Sequence, residues 1–246
     1  MDRESVVVIA GSAGALGRAL ARAFGDAEVR GIVLCDLAPA RAHDVTAIER
    51  SGAQVLCVSA DVTDPAAMQE LAERTKDEFG SLDVLVNNAG TLSSNGRVHN
   101  LSIEEWRSVF EVNLFGVVNG IKAVVPIMRT QGSGSIINTG SVSGMTAWSH
   151  SSPYGASKAA VIHLTKIAAV EYAADGIRVN CVCPGAFESA MLDRVPAEAV
   201  DVIARRHPLG LGSAADLVGA YLYLAGSGSQ WTTGSVIVVD GGYSAP

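Results

Sequence analysis

Basic residues are scarce in this chain of 246: 18 Lys and Arg stand against 25 Asp and Glu, a formal charge of −7. With no basic stripe to displace counterions from phosphates, a nucleic-acid partner is not expected. Charge of either sign is low at 17%, against 48% apolar residues, which excludes a disordered polymer and leaves ample material for a core. Long hydrophobic runs are also missing; the apolar stretches fall short of a bilayer span, so no membrane partner is expected. Met1–Gly11 holds too short an apolar run for a signal-peptide core, and the cytoplasm is the expected location. The cysteines Cys35, Cys57, Cys181 and Cys183 come without CxxC or HExxH, which disfavours a disulfide framework or a zinc site, and no metal is expected. Each lies in a short apolar run and reads as a buried strand thiol, Cys181 and Cys183 sharing one strand face.

Short apolar runs alternate with stretches of helical period along the whole chain, the pattern of βα units around a parallel sheet. About seven strands are expected, near Val6–Ala10, Ile32–Asp36, Gln54–Ser59, Val84–Asn87, Ser135–Thr139, Arg178–Val182 and Val236–Val239. Most are rich in Val and Ile on both faces, as a sheet covered by helices on both sides requires. Asp64-Pro65 predicts one helix start, and the capping box Ser102-Ile103-Glu104-Glu105 another, opening a long helix toward Met128. Gly80 predicts a helix stop. No linker or repeat interrupts the series, so residues 1–246 read as one domain, with an excursion at about Ala186–Pro208 where a lid would sit.

After the first strand comes Gly11-Ser12-Ala13-Gly14-Ala15-Leu16-Gly17, then a helical run to about Phe24. Glycines there permit a tight turn and close backbone approach to a pyrophosphate, while the helix start supplies free N–H groups. Asp36 ends the second strand, where a carboxylate accepts hydrogen bonds from adenosine ribose hydroxyls and repels a 2′-phosphate. No Arg or Lys at Ser12–Leu16 or Leu37–Ala40 offsets it, and NAD is the expected cofactor. Farther on, Tyr154 and Lys158 stand four apart at the start of a helical stretch, on one face. A phenol of pKa about 10 is a poor base at neutral pH, and a neighbouring ammonium favours its phenolate.

The ordered set of the glycine loop, Asp36, Asp61-Val62, Asn87-Asn88-Ala89-Gly90, Asn113, Ser141, Tyr154-x-x-x-Lys158, Pro184-Gly185 and Asp240-Gly241-Gly242 resembles the short-chain dehydrogenase/reductase family over nearly the whole chain. The resemblance implies a single-domain α/β fold, a Rossmann-type doubly wound parallel sheet with helices on both faces. It also implies a catalytic tetrad. Tyr154 would be the general acid/base, Ser141 would bond the same substrate oxygen, Lys158 would hold the nicotinamide ribose and depress the tyrosine pKa, and Asn113 would anchor a water in a proton relay. For the cofactor it implies Gly11, Ala13, Gly14, Leu16 and Gly17 at the pyrophosphate, Asp36 and Leu37 at the ribose, Asp61 and Val62 at the adenine, Asn88 beneath the dinucleotide, and Phe187 and Ser189 at the carboxamide.

The chain departs from the family's usual TGxxxGxG pattern: Ala10 precedes the first glycine, Gly14 falls one position early, and Ala15 stands where the middle glycine is usual. Ser189 replaces the usual Thr and Phe187 an aliphatic residue. Candidate substrate residues are Met145, Trp148, Ser149 and His150, with Phe187, Met191 and Leu192 from the excursion. They are mainly apolar and carry no arginine cluster, which fits a hydrophobic secondary alcohol or its ketone. The Ala-, Val- and Ile-rich helices Ile103–Met128 and Ser152–Ala173 suggest subunit contact; the family resemblance implies a homotetramer, with a dimer as second choice. Two alternatives stand beside an NAD-dependent oxidoreductase: an NADPH-dependent 3-oxoacyl-(acyl-carrier) reductase, against which Asp36 speaks, and a non-catalytic NAD-sensing protein of the same fold.

Overall fold

The computed structural model describes residues 2–92 and 94–245. Seven strands, β1 (Val6–Ala10), β2 (Gly31–Asp36), β3 (Gln54–Ser59), β4 (Val84–Asn87), β5 (Gly134–Thr139), β6 (Ile177–Pro184) and β7 (Val236–Val239), form one sheet in the order β3-β2-β1-β4-β5-β6-β7. Every neighbouring pair is parallel, with Ala10 paired to both Cys35 and Asn87. The helices are α1 (Ala15–Asp26), α2 (Ala42–Glu49), α3 (Pro65–Phe79), α4 (Ile103–Phe110), α5 (Gly116–Gln131), α6 (Ser152–Tyr172), α7 (Ala197–Arg205) and α8 (Ala214–Ala225).

Alternation along the strands sorts two apolar sets. Val6, Val8 and Ala10 face Met68 and Leu71 of α3, Val124 and Met128 of α5 and Val161 of α6, while Val7 and Ile9 face Leu20 and Phe24 of α1, Ile48 of α2 and Tyr221 and Leu224 of α8. A strand buried on both faces has no polar side to show, so β1 reads as a continuous apolar run. The winding reverses between β1 and β4. Their carboxyl ends therefore open a crevice at the switch point, the usual ligand position in such sheets.

Local signals set the helix ends. Asp64 Oδ1 accepts from Ala66 N at 2.8 Å, Ser102 and Glu105 close the expected capping box, and Gly80 stops α3 at φ 76°. Ser213 and Asp216 form a second capping box, at the start of α8.

Three expectations need correction. Cys35, Cys181 and Cys183 are buried but Cys57 is exposed, because β3 is an edge strand on which only Val58 is fully covered. The long helix from Ile103 is α4 and α5 joined by a π turn at Glu111–Phe115. Ile103–Gln131 is also long and apolar enough, with mean hydropathy 1.4, to cross a bilayer, although most of its apolar stretch is buried inside the protein.

Candidate active site

A cavity of about 970 Å³ runs along the crevice from Asp36 to Ile203. At one end β1 turns into α1. Gly11 at φ 90° lies so close to the next strand's loop that a Cβ would stand 2.5 Å from Ala89 N, and a Cβ on Gly17 would collide with the Gly11 carbonyl. Both glycines thus serve the fold. Gly14 differs: it caps α1 in extended conformation, and a Cβ there would meet nothing within 4 Å. The space it leaves open lies over the free N–H groups of the helix start, as close approach of a pyrophosphate requires. Asp36 accepts from Ala13 N at 2.9 Å and Ala38 N at 3.2 Å, which fixes its carboxylate at the cavity rim. Asp61, held by Thr63, lines the wall with Val62 and Leu37, and Asn88 donates to the Gly11 carbonyl at 2.7 Å beneath them. These residues fit a dinucleotide.

The chemistry-bearing groups meet at the other end. Ser141 follows β5, while Tyr154 and Lys158 sit on the first turns of α6; all three line the cavity. Lys158 is buried, donates to the Thr139 carbonyl at 2.8 Å, and lies 5.8 Å from the centre of the Tyr154 ring. Burial lowers its pKa to about 8, against the raising influence of the Cys181 and Cys183 thiols. Burial likewise pushes the Tyr154 phenol above its ordinary range, and the Ser141 hydroxyl only partly offsets this. The Lys158 ammonium is tied to the Thr139 carbonyl and lies over the ring, and burial outweighs the Ser141 hydrogen bond in setting the direction of the phenol's shift.

Asn113 is buried in the π turn and does not line the cavity. Its side chain accepts from Thr91 N at 2.8 Å and donates to Thr91 O and Ser157 Oγ, each at 3.0 Å. Gly90 leaves room between it and Lys158; a Cβ there would touch both. Asn113 thus braces the loop after β4 against α6.

Trp148, Phe187, Met191 and Leu192 wall the substrate side, joined by Val142, Val195 and Ile203. Met145 and His150 are outside this lining. Met145 is exposed, and His150, at φ 66°, offers its backbone carbonyl to Gly96 N at 3.2 Å. Ala13 and Gly17 also stand behind the wall rather than in it. Ser189 lines it and donates to the Phe187 carbonyl at 3.3 Å.

Sequence reasoning missed His207 and Tyr243. Buried His207 accepts from Ala186 N at 3.0 Å through Nε2 and bonds Ile203 O through Nδ1, which pins the start of the excursion. The Tyr243 ring packs between His207 at 4.7 Å and Trp148 at 5.4 Å. No local motif announces a contact between segments so far apart.

The sequence profile of a family described as enoyl-(acyl carrier protein) reductase matches residues 11–244. Cis-4-hydroxycyclohexanecarboxylate dehydrogenase of Sinomonas cyclohexanicum is 38% identical over 98% of this chain and 97% of its own. The crystal structure of levodione reductase superposes with a TM-score of 0.91 at 31% identity, covering 98% of each chain. NADPH-dependent 3-quinuclidinone reductase from Rhodotorula rubra does so with 0.92 at 30% identity, over 98% of this chain and 92% of its own. With the glycine loop at one end of the crevice and the serine, tyrosine and lysine at the other, these likenesses make the chain a member of the short-chain dehydrogenase/reductase family, oxidoreductases that act on CH–OH groups with a nicotinamide cofactor.

Proposed function

We propose that this protein is an NAD-dependent dehydrogenase that interconverts a hydrophobic secondary alcohol and its ketone. The observation that carries the reading is one cavity with Asp36 fixed at its rim, Ser141, Tyr154 and Lys158 together in its wall, and Trp148, Phe187, Met191 and Leu192 around the remaining space. A bound nicotinamide would supply the hydride donor or acceptor for the substrate carbon.

The chain's own residues do the rest. Gly11, Ala13, Gly14, Leu16 and Gly17 would shape the pyrophosphate cradle, Asp36 and Leu37 would hold the ribose, Asp61 and Val62 would border the adenine, Asn88 would floor the dinucleotide, and Phe187 and Ser189 would meet the carboxamide. Tyr154 Oη gives a proton to the ketone oxygen or takes one from the alcohol. Ser141 donates a hydrogen bond to that oxygen as charge develops on it. Lys158 would hold the nicotinamide ribose hydroxyls, and Asn113 would brace the relay by which protons reach solvent. Residues 186–208 form the lid, pinned at its start by His207.

A fixed carboxylate at the ribose end supports NAD, since a 2′-phosphate would meet its charge at short range. The same feature weighs against an NADPH-dependent 3-oxoacyl-(acyl-carrier) reductase, and the intact tetrad weighs against a non-catalytic sensor. Homotetramers in the cytoplasm complete the reading; four free thiols suit a reducing compartment.

The test is a panel of aliphatic, alicyclic, aromatic and steroid secondary alcohols, followed by absorbance of the reduced cofactor. Turnover of an apolar alcohol is expected, abolished in Tyr154→Phe with NAD binding nearly intact. Full activity of Tyr154→Phe, or silence of the parent across the panel, would overturn the reading.

A further inference from the structure

Ser141 has a hydrogen-bond inventory that its own position does not explain. Its Oγ accepts the backbone N–H of Ser143 at 3.2 Å and the Ser143 hydroxyl at 2.9 Å. A serine oxygen has two acceptor positions and one proton. Both acceptor positions are used by one residue, so the only capacity left to Ser141 is to donate, and the cavity side offers Tyr154 and the substrate oxygen as acceptors. Ser143 is itself buried on the cavity wall, in the 3₁₀ turn Val142–Gly144. Two glycines press that turn onto α6. A Cβ on Gly144 would stand 2.7 Å from Ala159 N, and one on Gly155 would stand 3.0 Å from the Ser143 carbonyl. The Ser143 backbone is therefore held against the helix that carries Tyr154 and Lys158, while its hydroxyl is directed to Ser141 Oγ.

We propose that Ser143 is a positioning residue that makes Ser141 a one-way hydrogen-bond donor toward the reacting oxygen. A ketone oxygen then finds two donors, Ser141 and the Tyr154 phenol. An alcohol finds one acceptor, because Ser141 has no free lone pair, so its hydroxyl proton has a single destination, Tyr154 Oη. Donation by Ser143 also polarises the Ser141 O–H, strengthening the bond it makes in turn. The inference rests on the alcohol–ketone reaction read above and adds to it the direction of each proton.

The variants Ser143→Ala and Ser143→Thr test it on any alcohol the panel finds. Loss of one oriented hydrogen bond predicts that kcat of Ser143→Ala falls about 5- to 10-fold. KM for alcohol and cofactor should stay within about twofold, and the acidic limb of the pH profile of alcohol oxidation, below which Tyr154 is protonated and cannot accept the proton, should move upward as Tyr154 loses part of its support. Lys158 on the same helix, Cys183 on β6 and Tyr221 on α8, the ionisable groups facing Tyr154, are present in every variant. Ser143→Thr keeps the hydroxyl and should recover most of the rate, with melting temperatures unchanged throughout. A second readout needs no substrate: ultraviolet titration of the Tyr154 phenol, taken as the difference from Tyr154→Phe, should also shift upward in Ser143→Ala. Silence of the parent on every alcohol would count against the reaction while this titration still decides the role of Ser143. Unchanged kcat, a defect confined to KM, a loss that a stably folded Ser143→Thr does not recover, or an unmoved titration would overturn the proposal.

Discussion

Single atoms decide most at the residue scale, and the glycine loop gives the cleanest contrast. Gly11 and Gly17 lack a Cβ because neighbouring backbone occupies its place, whereas Gly14 lacks one over open space. Gly14→Ala should therefore melt like the parent yet bind NAD about tenfold more weakly, while Gly17→Ala should destabilise the fold by about 1–3 kcal/mol. Calorimetry beside cofactor titration separates the two. Lys158 carries the opposite tension, a buried cation held for chemistry. Its pKa of about 8 lies below the usual 10.5, so the unfolded chain binds more protons between those values and stability rises with pH across that window. Lys158→Met should abolish turnover and raise stability at pH 7 by about 1–3 kcal/mol, a gain that shrinks as pH climbs from about 8 toward 10.5. Denaturant unfolding at several pH values checks it.

Elements place those residues, and their legibility varied with how much of each is buried. β1 and β4 carry the short apolar runs Val-Val-Val-Ile-Ala and Val-Leu-Val and are legible to the residue, whereas β6, with Arg178 and Asn180 among its apolar residues, extends one residue before and two beyond its expected bounds. Helix α2 was not read, since only Asp44 and Ile48 of its residues are buried and no side chain caps its start; the Arg22–Asp44 ion pair, which ties it to α1, joins positions distant in sequence. The π turn around Asn113 likewise leaves no composition signal. Met145 and His150 failed as wall residues because sequence adjacency to Trp148 does not say which side chains of an irregular turn face inward. Cys57 failed because edge position is a property of strand order; a bulky thiol reagent should label this cysteine alone in the native protein and all four on unfolding. The aromatic packing of Trp148 on Tyr243 also crosses elements, and the Trp148 Nε1 has no hydrogen-bond partner among the described residues. With only packing to hold that wall, Tyr243→Ala should relax it and shift kcat/KM toward bulkier alcohols.

For the whole molecule, strand order alone fixes where function sits: the reversal between β1 and β4 brings the glycine loop and Asp36 to one end of a crevice that α6 and the Ala186–Pro208 segment complete at the other. The chain's outer surface remains apolar in places, with Ile167 and Val170 on α6, Trp231 and Leu209 near half-exposed β7. Exposed apolar surface of this kind suits the homotetramer proposed above. Sedimentation should give the mass of four chains, and Val170→Asp should shift it to smaller species. The account turns most on the cofactor, because Asp36 is the one feature that separates the proposed dehydrogenase from a reductase running on NADPH. The measurement is kcat/KM for NAD and for NADP with the best alcohol of the panel. At least a tenfold preference for NAD is expected; a tenfold preference for the phosphorylated cofactor would contradict the account at its centre.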